Sequence, residues 1–403
     1  MKCEIEKLDN FGRGITYYNN KICFIDGAFP GDIVSFDVIC EKNKYIEGKV
    51  NKIYSYSDGR VESKCPFSCE CGGCVFQEYN YSLENKYKEE KLKSLVKRQL
   101  GIDNVVSDII YDNDLNYRNK IVLHGSNGLL GLYKANSNDI VKIDKCILCN
   151  EKINNIISIL NNYSNIDEVM IRTNNDLSSV LVSIKGNLSK YDELASICDV
   201  LIVNGKLISK DSSIITSIGN NMFYLSADSF FQINLSLTTK LFDTVLGYVK
   251  DINPKIMLDL YCGTGTFGIY VSHYVSKVIG IDYNRSNIDD ALKNAKLNNV
   301  DNIKFICDKV ENVIDNYDDI DLVIVDPPRS GLDKKTLDNL VRINSKNIIY
   351  VSCDPVTLFR DLKILLKKYN ILKITQFNMF PRTYHCESIA VLEKNIKRRD
   401  ENE

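Results

Sequence analysis

Two residues near the end of the chain have the types and settings that covalent catalysis requires. Cys353 stands in Ser352-Cys353-Asp354-Pro355, between an expected strand Asn347–Val351 and an expected helix Val356–Leu366. A thiol at such a turn sits where a helix dipole lowers its pKa and favours the nucleophilic thiolate. Glu387 closes Phe380-Pro381-Arg382-Thr383-Tyr384-His385-Cys386-Glu387, ahead of the apolar run Ile389-Ala390-Val391-Leu392. Its carboxylate could remove a proton, although taken alone it reads as a surface group. Cys386 is a rival thiol that lacks the strand-to-helix setting.

A ligand cleft is written upstream. Asp259-Leu260-Tyr261-Cys262-Gly263-Thr264-Gly265-Thr266-Phe267-Gly268 satisfies G-x-G-x-x-G, and Asp282 closes the next expected strand. Such glycines make a tight turn that brings a ligand close to the backbone. They suit a dinucleotide as well as S-adenosylmethionine, and Asp282 would accept bonds from ribose hydroxyls in either case. Two later turns tip the choice: Asp326-Pro327-Pro328-Arg329-Ser330-Gly331 and the Cys353 turn. A hydride-transfer enzyme has no need of a thiol at that position.

The elements that must position these residues alternate regularly in the last third. Strands are expected at Ile256–Leu260, Lys277–Ile281, Lys304–Cys307, Asp321–Val325 and Asn347–Val351, with helices between them. That pattern predicts a parallel sheet covered on both faces, with ligands at the carboxyl ends of its strands. Residues 1–58 read as short strands punctuated by Gly12, Gly14, Gly27, Pro30 and Gly31, which suits a small β-barrel. From 59 to 227 a cysteine-rich stretch, a helix from about Leu83 to Leu100 and irregular α+β alternation follow. The division is thus 1–58, 59–227 and 228–403, the last an α/β domain.

Composition narrows the class. A net charge of −2 does not advertise a polyanion binder, but local patches decide that question. Lys86, Lys88, Lys91, Lys93, Lys97 and Arg98 form one candidate patch. With Glu84, Glu89 and Glu90 beside them, a solvated helix face with internal ion pairs is the preferred reading. No run approaches the ~20 apolar residues of a membrane span. MKCEIEKLDN turns charged at once, so a cytoplasmic location is expected and the 14 cysteines meet a reducing compartment. No membrane and no obligate protein partner is indicated.

Taken together, Tyr261-Cys262-Gly263-x-Gly265, Asp326-Pro327-Pro328-Arg329-x-Gly331, Ser352-Cys353-Asp354-Pro355-x-Thr357-Leu358-x-Arg360-Asp361 and Phe380-Pro381-x-Thr383-x-His385-x-Glu387 resemble the RNA uracil-C5 methyltransferases. Phe230-Phe231-Gln232-x-Asn234 and Tyr117-Arg118-Asn119-Lys120 extend the similarity upstream. The resemblance implies a Rossmann-like class I methyltransferase domain, an N-terminal TRAM barrel that binds RNA, and S-adenosylmethionine as cofactor. It implies Cys353 as nucleophile, Glu387 as base, and Gln232, Tyr261, Asp282 and Asp326 as cofactor contacts. Ribosomal RNA is placed ahead of transfer RNA as the substrate. An RNA-binding module without catalysis is the rival, but a relic has little need of both Cys353 and Glu387. Asp282 departs from the Glu of many members, Ser388 from a frequent Thr, and Thr266 from an Asn.

The same resemblance assigns Cys65, Cys71, Cys74 and Cys146 to a [4Fe–4S] cluster. Spacing also permits zinc on two CxxC pairs, Cys71–Cys74 and Cys146–Cys149, which would leave Cys65 idle. Cys69 and Cys149 are spare in the iron–sulfur assignment.

Overall fold

The apolar runs of the last third become seven strands of one sheet in the computed structural model, which describes residues 2–68, 70–188 and 190–395. They are β1 (Ile256–Leu260), β2 (Lys277–Asp282), β3 (Ile303–Cys307), β4 (Leu322–Val325), β5 (Asn347–Ser352), β6 (Tyr369–Phe377) and β7 (Glu387–Lys394), in the order β3-β2-β1-β4-β5-β7-β6. The first five are parallel. β7 runs antiparallel and inserts between β5 and β6. Both faces are buried under helices, which is why β1 and β4 read as continuous apolar runs rather than as alternation.

Helix boundaries follow capping chemistry. Helix α1 (Tyr81–Leu100) starts where the Asn80 side chain accepts from the Ser82 and Leu83 amides, and it ends on left-handed Gly101. Asn234 caps α2 (Leu235–Ile252). Asp354 caps α3 (Pro355–Leu365), with proline at its first position.

The sequence places α1 in the central segment, yet Leu92, Leu95 and Val96 pack into the core of the C-terminal sheet. Residues 105–110 cover the β6 edge: Ile374 donates to the Val105 carbonyl at 2.7 Å and Ile110 to that of Gln376 at 2.8 Å. The charged face of α1 pairs as its spacing predicts, Lys88 with Glu84, Lys93 with Glu89 and Lys86 with Glu90. Lys88 and Glu84, however, are buried rather than solvated.

Residues 3–55 form a six-stranded sheet with its own core of Ile5, Cys23, Ile25, Val34, Phe36 and Ile46. A second seven-stranded sheet spans residues 120–207, backed by helices Glu151–Leu160 and Asp192–Ile197. The hairpin Ile214–Ile218 and Asn221–Leu225 packs on α2 in the C-terminal core. No helix among the described residues is long and apolar enough to cross a membrane.

Candidate active site

The turn after β1 supplies the cleft. Tyr261, Gly263 and Gly265 all take left-handed backbone, at φ 60°, 52° and 79°. A Cβ on Gly265 would stand 2.8 Å from the Phe305 ring, whereas one on Gly263 would meet nothing within 4 Å and project into open space. A turn held this way admits a ligand against its backbone. Gln232, Tyr261 and Asp326 line the resulting pocket together with Cys262, Gly263 and Thr264, and exposed Phe230 stands at its rim.

Asp282 lies beside this pocket. Its Oδ2 accepts from the Gly263 amide at 3.1 Å, and its Oδ1 from the Asn284 amide at 2.8 Å and the Asn287 side chain at 3.2 Å. Asp259, which sequence reasoning passed over, is fully buried on β1. Its Oδ2 accepts from the Gly268 amide at 2.9 Å, while Oδ1 has no partner. Burial pushes this carboxyl up to about 7. An acidic residue inside an apolar strand was the signal available for it. The open Gly263 position fits a ligand held against this turn.

Catalytic candidates converge at the carboxyl edge of the sheet. Ser352 pairs with Ser388 across β5 and β7, so Cys353 and Glu387 are the next facing positions. Asp326 follows β4, the neighbour of β5 on the other side. Glu387 is buried, not the surface group that it resembles in isolation. Burial, and then the Asp326 charge, hold it well above the usual carboxylate range. Burial lifts Asp326 to about 7. His385 is pushed down to about 4, chiefly by burial, and so remains a neutral imidazole.

The lowered thiol pKa expected for Cys353 is not found. Burial and the neighbouring Glu387 charge push it up to about 11, with Arg329 opposing them. The helix offers little relief, because the Asp354 carboxylate already accepts from the Val356 and Thr357 amides at 2.8 and 3.0 Å. Exposed Arg329, seen in the sequence only as part of a turn, lowers the pKa of both Cys353 and Glu387.

The Asp-Pro-Pro-Arg turn is pinned from α3. The Asp361 carboxylate is fully buried and accepts from the Leu332 amide at 2.8 Å, the Tyr350 hydroxyl at 2.7 Å and the Arg360 Nε at 2.7 Å. A Cβ on Gly331 would lie 2.7 Å from Asp361 Oδ2, so the turn closes only on glycine.

Cys65, Cys71, Cys74 and Cys146 line one cavity together with Arg118 and Gln77. Gly73 donates its amide to Cys71 Sγ at 3.4 Å, and the Gln77 side chain donates to Cys74 Sγ at 3.3 Å. Arg118 Nε is buried without a partner. Cys149 is packed in the apolar core of the central sheet, with its thiol in hydrogen-bond contact with that of Cys146. Cys69 lies outside the described residues. Among the described residues, no three His, Cys, Asp or Glu side chains are grouped so as to hold a metal ion.

Comparison with known proteins places this geometry. The family model described as tRNA (Uracil-5-)-methyltransferase matches residues 208–395. An uncharacterized RNA methyltransferase of Clostridium tetani is 32% identical over 94% of this chain and 93% of its own. One of Aquifex aeolicus is 32% identical over 98% of each. The crystal structure of Pyrococcus abyssi tRNA (uracil-54, C5)-methyltransferase, in complex with S-adenosyl-L-homocysteine, is 27% identical. It superposes with a TM-score of 0.81 over 97% of this chain and 100% of that one. The chain therefore belongs to the RNA methyltransferases, and over residues 208–395 it is similar to the tRNA (Uracil-5-)-methyltransferases.

Proposed function

We propose that this chain methylates carbon 5 of a uridine in RNA through a covalent enzyme–RNA intermediate. The observation that carries the reading is the facing pair Cys353 and Glu387 at the end of β5 and β7, with Asp326 joining them to the pocket. Uracil C5 is a poor nucleophile. Adding the Cys353 thiolate to C6 forms a C–S bond and moves the ring's π electrons into an enolate with density on C5. S-adenosylmethionine, when bound, supplies the electrophilic methyl group. Gln232, Tyr261, Asp282 and Asp326 are the residues proposed to hold it. Glu387 then takes the C5 proton, the C5–C6 double bond re-forms and the thiolate leaves. A carboxylate raised by burial is a stronger base, which suits that step.

Ribosomal RNA is proposed ahead of transfer RNA, while the neighbour of known structure is a transfer-RNA enzyme by name. We also propose the segment 1–58 as a TRAM-type RNA-binding barrel, 59–227 as a central domain and 228–403 as the catalytic domain, acting in the cytoplasm.

For the cysteine cavity we propose a [4Fe–4S] cluster on Cys65, Cys71, Cys74 and Cys146, in a structural role. What supports this over zinc is that Cys65 lines the cavity, whereas Cys149 touches Cys146 from within the core of the central sheet and does not line it. The unpartnered Arg118 Nε offers charge compensation to a thiolate-bound group. A four-iron cluster also holds its thiolates farther apart than one ion does.

RNA carrying 5-fluorouracil should trap the wild-type protein covalently, because fluorine cannot leave as a proton. Cys353→Ala should bind cofactor yet neither trap nor methylate; normal turnover by this variant would refute the mechanism. Mapping 5-methyluridine in ribosomal and transfer RNA, from cells with and without the protein, identifies the substrate.

A further inference from the structure

The loop between β6 and β7 carries Glu387 into the site, so its placement sets where the carboxylate lies. Arg382 stands five positions before Glu387 in that loop. It is buried and holds left-handed backbone at φ 68°, which a side-chain-bearing residue adopts only when its surroundings demand it.

Those surroundings use almost every polar atom it has. The Arg382 amide donates to Glu84 Oε1 at 3.0 Å. Its carbonyl accepts from the Val75 and Phe76 amides at 2.8 and 3.1 Å. Its guanidinium donates to the Phe76 carbonyl at 2.9 Å, the Tyr79 carbonyl at 2.6 Å and the Asp114 carboxylate at 2.9 Å. The loop is clamped at its start as well, where Asn378 Oδ1 accepts from Lys88 Nζ at 2.7 Å.

We propose that Arg382 is a positioning residue for proton removal from C5. It ties the loop bearing Glu387 to the segment that directly follows Cys74, to α1 and to Asp114. None of its hydrogen-bond partners lines the cofactor pocket. Its influence on the reaction therefore runs through Glu387, and the inference rests on the mechanism proposed above. Val75 and Phe76 adjoin Cys74, so the same bonds join the wall of the cysteine cavity to the catalytic loop.

The test separates steps before and after proton removal. Fluorouracil trapping reports thiol addition and methyl transfer, whereas resolution of a methylated adduct on ordinary RNA reports the base. Arg382→Met should bind S-adenosyl-L-homocysteine and trap within about threefold of wild type, yet resolve the adduct about tenfold or more slowly. Hydrogen exchange in residues 378–388 should rise. Arg382→Lys should recover part of the resolution rate, because an ammonium can reach Asp114 but cannot serve the two carbonyls as well. Asp114→Asn removes the charged partner alone and should give a milder form of the same split. It decides the matter if Arg382→Met no longer binds the cofactor product.

Resolution at the wild-type rate in a variant that binds that product overturns the proposal. So does an equal loss of trapping and resolution, which marks general damage to the site. Failure of the wild type to trap would instead sink the covalent mechanism, and it is read without any variant.

Discussion

Replacing Glu387 with Gln should make Cys353 more reactive, not less. The thiol is held at about 11 by burial first and by the Glu387 charge next. At pH 8 such a thiol is ionised in roughly one molecule in a thousand, against roughly one in ten for a thiol titrating near 9. The more basic thiolate is intrinsically about eightfold more nucleophilic, so alkylation should run about tenfold slower than at an ordinary cysteine. An anion beside the sulfur disfavours the thiolate, and removing it lowers the thiol pKa. Burial is the larger cause and persists in the variant, so Glu387→Gln lowers the thiol pKa only part of the way. Labelling at pH 8 should therefore be faster than in the wild type, with a midpoint below about 11. Arg329→Met removes a cation and should move it the other way. Iodoacetamide labelling from pH 8 to 11, read by mass spectrometry and normalised to exposed Cys307, measures all three proteins. A wild-type midpoint at or below 9, or no gain on removing Glu387, would refute the charge assignment.

The same Glu387→Gln variant should slow turnover by about 10²–10⁴-fold and accumulate a covalent band labelled from methyl-tritiated cofactor. Normal turnover would give the base role to another group. Protein purified without oxygen should hold roughly four irons per chain. Cys149→Ser should keep them and Cys74→Ser lose them, whereas stoichiometric zinc without iron would favour the paired-CxxC site. Asp361→Ala leaves the Tyr350 hydroxyl and Leu332 amide without their partner and should cost about 2–4 kcal/mol in denaturant unfolding. An unchanged midpoint would show that the network adds nothing.

What was legible was local. Apolar runs between turn residues located β1 to β5 to within a residue, whereas the capping roles of Asn80, Asn234 and Asp354 emerge only in the structure. The glycine pattern located the cleft because Gly265 is excluded from bearing a side chain by Phe305. Properties set by distant parts of the chain were not legible. Glu387 is buried because β7 enters the sheet antiparallel between β5 and β6, which the periodicity of residues 389–392 does not reveal. The Cys353 thiol is raised by burial and by charges from two other turns, against which the adjacent helix start counts for little. Arg382 reads as an ordinary loop arginine until residues about 300 positions away close around it.

The strand order has a consequence for how the molecule is born. β7 is made after β6, yet it must lie between β6 and β5. A nascent chain that ends before β7 therefore leaves the β5 edge unpaired, with Cys353 just past its end. Docking of one late strand both seals the edge against wrong pairing and delivers the carboxylate proposed to release the RNA.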